Sequence, residues 1–263
     1  MTKHVSPKER HGPLSGSVAL VSGAGGPMGA AIAARLAADG ASLGLVDISG
    51  RRVAATAESI QADYPATMLH AVRADATNED ETNAAIAEIM DTVGPVSTLI
   101  NVVGGIRGGE LTVPLLNMNE ERFDSTFALN LKPLLWMVQA VAPGMVSRKK
   151  GAIVNISSVT YAGDGNQPEY AAAKAAVASL TRSLAIELAP VVRVNCIVPG
   201  LIQTSVIDNA APEMVAEYTE RSLLKRLGRP EDIAGAVSFL VGPDSDFITG
   251  AALPVSGGIT AIL

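Results

Sequence analysis

One cysteine, Cys196, stands among 263 residues, so no disulfide forms within the chain and a reducing compartment is indicated. It lies in Val194-Asn195-Cys196-Ile197-Val198, a setting that suits a buried structural thiol better than a nucleophile. The three histidines, His4, His11 and His70, are scattered, and no metal-ligand spacing is found. Positive charge is also scarce: 20 Lys and Arg face 26 Asp and Glu, for a net charge of −6, and the longest basic run is Arg148-Lys149-Lys150. That balance argues against nucleic acid or an anionic membrane as a partner. No apolar run is long enough for a membrane span, which takes about 18 residues or more. Residues 1–14 have no apolar core and read as a flexible N-terminal arm rather than a secretory signal, leaving 15–263 as a single domain. A soluble cytoplasmic protein is expected.

What the chain does have is alternation. Apolar β-type runs alternate with amphipathic helical stretches, which predicts an α/β fold: one doubly wound parallel sheet, Rossmann-like, with helices on both faces. Strands are expected at 17–21, 42–46, 67–73, 98–103, 152–156, 192–197 and 252–255. Helices are expected at 30–39, 50–62, 79–93, 120–147, from Tyr170 to about Leu188, and 230–241. The stretch 203–229 reads as polar and irregular. In such sheets ligands bind beyond the carboxyl ends of the strands, where strand order reverses.

Gly23, Gly25, Gly26 and Gly29 fall between the first strand and the first helix. Glycine there lets backbone approach a pyrophosphate, and the helix start supplies unpaired amides; the alternative is a tight turn with no ligand. Asp47 ends the second strand, where a carboxylate can bond both hydroxyls of an adenosine ribose and repel a 2′-phosphate. Ile48 and Ser49 supply no cation, and Arg51 and Arg52 are expected to point along the next helix. NAD is therefore expected over NADP, with Asp47 as a helix N-cap the competing role. Asp75 after the third strand suits an adenine contact or, equally, a cap. Asn101 and Gly104 at the end of the fourth strand would line the cofactor's other side.

Tyr170 and Lys174, four apart on a helix, share one face about 6 Å apart along the axis. A phenol titrates near pH 10 and a nearby ammonium favours its phenolate, so the pair suits acid/base work on an alcohol or carbonyl.

With these motifs in order, the chain resembles the short-chain dehydrogenase/reductase family from about Leu14 to Ile259. The resemblance rests on Gly23-x-x-x-Pro27-x-Gly29, Asp75, Asn101-Val102-Val103-Gly104, Asn130 in Ala128-Leu129-Asn130-Leu131, and Asn155-Ile156-Ser157-Ser158. Tyr170 with Lys174, Pro199-Gly200 followed by Thr204, Pro230-Glu231-Asp232-Ile233-Ala234 and Ile248-Thr249-Gly250 complete it. It implies that Tyr170 exchanges a proton with the substrate oxygen and that Lys174 lowers its pKa and bonds the nicotinamide ribose. Ser158 would polarise the substrate oxygen, and Asn130 would hold a water linking Lys174 to solvent. Met28, Ala76, Pro199, Gly200, Ile202 and Thr204 would join the cofactor contacts. Ser157 competes with Ser158, and strand alternation sends the two hydroxyls to opposite faces. Three positions depart from the family pattern. Pro27 lacks an amide donor but is tolerated at a helix start, Val102-Val103 replace Asn-Ala, and Ser256 replaces an acid.

The resulting expectation is an NAD-dependent oxidoreductase interconverting a secondary alcohol and a ketone. The alternatives are an NADPH-dependent 3-oxoacyl-type reductase and a non-catalytic dinucleotide-binding sensor. Loops 105–119, 159–169 and 205–226 should shape the pocket, and their small, apolar and acidic residues point to a modest neutral substrate. The resemblance implies a homo-oligomer, tetramer or dimer, and the apolar ending Ile259-Thr260-Ala261-Ile262-Leu263 suits a subunit interface.

Overall fold

The computed structural model describes residues 12–107, 110–204, 207 and 212–259. Seven parallel strands form one sheet: β1 (Val18–Ser22), β2 (Ser42–Asp47), β3 (Leu69–Arg73), β4 (Thr98–Asn101), β5 (Gly151–Ile156), β6 (Val192–Pro199) and β7 (Ala252–Val255). Their order is β3-β2-β1-β4-β5-β6-β7, so the direction of winding reverses between β1 and β4. Seven α-helices connect them: α1 (Pro27–Ala38), α2 (Gly50–Asp63), α3 (Glu79–Val93), α4 (Glu120–Ser147), α5 (Pro168–Glu187), α6 (Pro212–Arg221) and α7 (Pro230–Val241).

The strands are apolar on both faces because both faces are covered. In β1, Ala19 and Val21 join a core with Ile32 and Leu36 of α1, Ile60 of α2 and Ile233 of α7. Leu20, between them, enters the opposite core with Ile89 of α3, Met137 of α4 and Val177 of α5. A strand's two-residue period thus splits the apolar side chains between two helical layers. Among the described residues, no helix is long and apolar enough to cross a membrane.

Several boundaries differ from the sequence reading. Helix α1 begins at Pro27, not Ala30, because proline occupies the first turn, where its missing N–H costs no helical bond. β3 starts at Leu69 and β4 stops at Asn101, while β6 runs on to Pro199. The stretch read as irregular contains α6, whose apolar positions are few. The region read as a flexible arm is packed from residue 12: Leu14 is buried, and its amide donates to the Asp39 carbonyl at 2.9 Å. Residues 1–11 lie outside the described residues. At the other end Ile259 is buried, and 260–263 lie outside the described residues.

Candidate active site

Two adjoining cavities open where the winding reverses. The first, about 410 Å³, is bounded by Gly23, Gly26, Met28 and Gly29 of the first turn, by Asp47 and by Asp75-Ala76-Thr77. The second, about 480 Å³, is bounded by Ser158, Tyr170, Lys174, Pro199, Gly200 and Ile202, among others. Met28, Val102, Gly104, Leu129 and Thr204 line both, so the two form one continuous cleft.

The first cavity is built by close approach. A Cβ on Gly29 would lie 2.2 Å from the Gly23 carbonyl oxygen, so only glycine lets α1 start against this turn. Gly23 itself has φ +69°, in the left-handed region. Gly25 lies behind the wall: a Cβ there would stand 2.9 Å from the Asp47 carboxyl carbon. Its amide donates to Asp47 Oδ2 at 3.0 Å, and the Ser49 amide donates to Asp47 Oδ1 at 2.9 Å. Ser49, not Asp47, caps α2. Asn78 likewise caps α3, while Asp75 holds the preceding turn by accepting from the Thr77 amide (2.8 Å) and hydroxyl (2.7 Å). Those Thr77 bonds hold the Asp75 carboxyl below its usual pKa.

One expectation fails at Asp47. Arg52 does not run along its helix but turns back, donating from Nη2 to Asp47 Oδ1 at 3.1 Å, and it lines the first cavity. Sequence spacing alone did not point to it, because Asp47 lies before the helix and the contact depends on how the chain turns at Ser49.

A second expectation fails at Asn101. Its amide donates to Asn155 Oδ1 at 2.8 Å, and the Asn155 amide donates to Thr181 Oγ1 at 2.9 Å. Asn101 is a strut between β4, β5 and α5, and it lines neither cavity. The turn after it is held by Ser22, whose hydroxyl accepts from the amides of Val102 (3.1 Å) and Val103 (3.4 Å). That serine supports the segment where Val102-Val103 replace polar residues.

Both serines line the second cavity just past the end of β5 at Ile156, and their hydroxyls make different bonds. Ser157 is buried and donates to the Lys174 carbonyl at 2.8 Å. Ser158 accepts from Thr160 Oγ1 at 3.0 Å and is hydrogen-bonded to the Tyr170 phenol. Tyr170 is half-buried at the start of α5. Lys174 is buried one turn later, with Nζ 5.5 Å from the Tyr170 ring centroid and donating to the Ile156 carbonyl at 2.9 Å.

Burial governs both charges. It pushes the Tyr170 phenol up to about 12, against the opposing pull of the Ser158 hydrogen bond. It holds the Lys174 ammonium down to about 8. Lys174 is not among the groups that shift the Tyr170 phenol, so the expected lowering by Lys174 is not found in this state. Tyr170 stands here as a protonated phenol, ready to donate.

Asn130 also differs from expectation. Its Oδ1 accepts from the Gly105 amide at 3.1 Å, and its Nδ2 donates to the carbonyls of Gly105 (2.7 Å) and Thr126 (2.8 Å). It pins the turn after β4 and lines neither cavity. A Cβ on Gly104 would fall 2.6 Å from Asn130 Oδ1 and 2.7 Å from Lys174 Nζ, so this glycine lets the two approach. Cys196 is fully buried on β6, and burial pushes its thiol up to about 11, which leaves it unreactive.

A glycine-built cavity with a carboxylate at the end of β2 thus runs into one lined by Ser158, Tyr170 and Lys174. The family model described as enoyl-(acyl carrier protein) reductase matches residues 23–260. The chain is 37% identical over 246 residues to the (2S)-[(R)-hydroxy(phenyl)methyl]succinyl-CoA dehydrogenase subunit BbsD of Thauera aromatica, covering 93% of this chain and 97% of that protein. It is 34% identical over 248 residues to a 3-oxoacyl-[acyl-carrier-protein] reductase of Aquifex aeolicus, covering 94% and 98%. A solved 7α-hydroxysteroid dehydrogenase, complexed with NADH and 7-oxo glycochenodeoxycholic acid, superposes with a TM-score of 0.87 at 33% identity, over 95% of this chain and 96% of that one. The chain belongs to the short-chain dehydrogenase/reductase family, whose oxidoreductases act on CH–OH groups with a nicotinamide dinucleotide.

Proposed function

We propose that the protein is an NAD(H)-dependent oxidoreductase that interconverts a secondary alcohol and a ketone. The observation that carries this reading is the meeting of Ser158, Tyr170 and Lys174 on one cavity that runs into the glycine-built cleft. Gly23, Met28, Gly29, Asp75, Ala76 and Gly104 would hold the dinucleotide, with Asp47 on the adenosine ribose and Pro199, Gly200, Ile202 and Thr204 along the nicotinamide. Pro27 removes one amide from the phosphate turn, but the amides of Met28 and Gly29 still open the helix.

In the reducing direction Tyr170 gives its proton to the substrate oxygen, which Ser158 holds by a hydrogen bond. In the oxidising direction Tyr170 takes that proton back, with Lys174 stabilising the phenolate. A nicotinamide held there would supply the hydride chemistry, and the positive charge of its oxidised form would favour the Tyr170 phenolate. Asn130 keeps the Gly104–Gly105 turn in place beside Lys174. A homo-oligomer is part of the proposal, resting on the apolar segment at the C-terminus.

A second reading, an NADPH-dependent reductase of 3-oxoacyl groups, draws on Arg52. Its guanidinium against Asp47 offsets the carboxylate that would repel a 2′-phosphate. The Aquifex aeolicus relative is named for such a reaction. A sensor with no chemistry is separated by Tyr170→Phe. An enzyme should lose at least about 100-fold in kcat when its acid/base is removed, with NADH affinity kept. Undiminished turnover in this variant would remove Tyr170 from the mechanism.

A further inference from the structure

The wall of the second cavity away from the cofactor is supplied by three loops and α6. Leu111, Val159, Ile207, Met214 and Tyr218 line it, with Gln167 as a polar group at the entrance to α5. Among the described residues, Lys174 is the one charged side chain lining this cavity, and its ammonium is buried against the Ile156 carbonyl. An anion entering here would lose its water and, among the described lining residues, meet one cation, Lys174, which already donates to the Ile156 carbonyl.

The surroundings carry more acidic than basic side chains. Between Arg193 and Arg221 the sequence has no Lys or Arg, while α6 carries Glu213, Glu217 and Glu220. Helix α6 turns Met214 and Tyr218, four apart, toward the cavity and leaves Glu213, Glu217 and Glu220 exposed. The loop before α5 adds Asp164, whose charge, with burial, raises the Tyr218 phenol above its usual pKa. The cations nearby are committed elsewhere. Arg221 lies 5.0 Å from the Tyr218 ring centroid and pairs with Glu217 at 3.4 Å, and Arg107 lines the cofactor cavity instead.

We infer that the substrate is an uncharged, mainly apolar alcohol or ketone, and that carboxylate, sulfonate and phosphate-bearing substrates are turned away. The inference deepens the oxidoreductase reading and rests on it. Two effects add: desolvating an anion is costly in a mainly apolar cavity whose one lining cation among the described residues, Lys174, already donates to the Ile156 carbonyl, and the acidic rim opposes its approach.

The test uses matched ketones sharing a reacting carbonyl: acetophenone against 4-acetylbenzoate, and cyclohexanone against 4-oxocyclohexanecarboxylate, with acetoacetyl-CoA as a phosphate-bearing thioester. kcat/KM is followed by NADH consumption in the wild-type protein. The neutral member of each pair should exceed its carboxylate partner by at least about tenfold, which corresponds to about 1.4 kcal/mol, and acetoacetyl-CoA should be slower still. Raising the salt concentration should narrow the gap without closing it, because screening weakens the rim but not the desolvation. Equal or faster turnover of a carboxylate, or of acetoacetyl-CoA, would overturn the inference and leave the oxidoreductase reading intact. Turnover of no ketone by a protein that binds NADH would overturn both.

Discussion

The two cavities of the cleft are made of different material. Around the dinucleotide side the walls are backbone and short polar side chains at strand ends: Gly23 and Gly29 in the first turn, Asp47, and Asp75 with Thr77. Contacts there are fixed to fractions of an ångström, as the 2.2 Å approach a Gly29 side chain would make demonstrates. Around the substrate side the outer wall is Leu111, Ile207, Met214 and Tyr218, contributed by loops and by α6, which is the least apolar helix in the fold. One half is set by the sheet and the other is laid over it. A scaffold that fixes a common cofactor and leaves the loops free can change substrate without changing chemistry.

Substitutions on the two sides should therefore fail in different ways. The larger effect is expected from Ser158→Ala, which removes the hydroxyl that faces the Tyr170 phenol. Loss of one oriented hydrogen bond to the reacting oxygen costs about 10²–10³ in kcat, and NADH affinity should not change. The sign of the pH effect follows from the same contact. The Ser158 hydrogen bond lowers the Tyr170 pKa from where burial alone would put it, so its removal should move the alkaline rise of alcohol oxidation to higher pH. A pH–rate profile of both proteins checks this. If NADH affinity falls as far as kcat does, the two halves are not separable.

Gly29→Ala should do the reverse at somewhat smaller cost. The added methyl overlaps the Gly23 carbonyl, and overpacking of this kind costs about 1–3 kcal/mol. Calorimetry with NADH should register about a tenfold or greater loss of affinity. At saturating NADH, kcat should stay near the wild-type value.

The same contrast explains which parts of the molecule the sequence made readable. The alternation of strands and helices announced the doubly wound sheet, and the tight turn between β1 and α1 was visible because glycine is needed where backbones meet. Tyr170 and Lys174 were legible because a helix places residues four apart on one face. Strand alternation did not separate Ser158 from Ser157, because β5 ends at Ile156 and both serines line the cavity. What escaped were side-chain directions set by tertiary partners. Arg52 turned to Asp47 because a buried carboxylate draws a nearby guanidinium. Asn101 turned away from the cleft because its amide donates to Asn155, which Thr181 holds in turn, inside the sheet layer. Asn130 was recognised as important, but its amide was spent on Gly105 and Thr126. Helix α6 escaped because its apolar positions are few and face a cavity rather than the core.

The central claim is that the glycine-built half of the cleft holds a nicotinamide dinucleotide beside Ser158, Tyr170 and Lys174. Its most direct test is a titration of the purified protein with NADH and, separately, NADPH, followed by nicotinamide fluorescence. The account predicts saturable binding of NADH, with NADPH weaker because Asp47 meets the adenosine ribose. Binding of neither would contradict it, because Pro27 would then have disabled the phosphate turn and left the catalytic residues without a hydride partner.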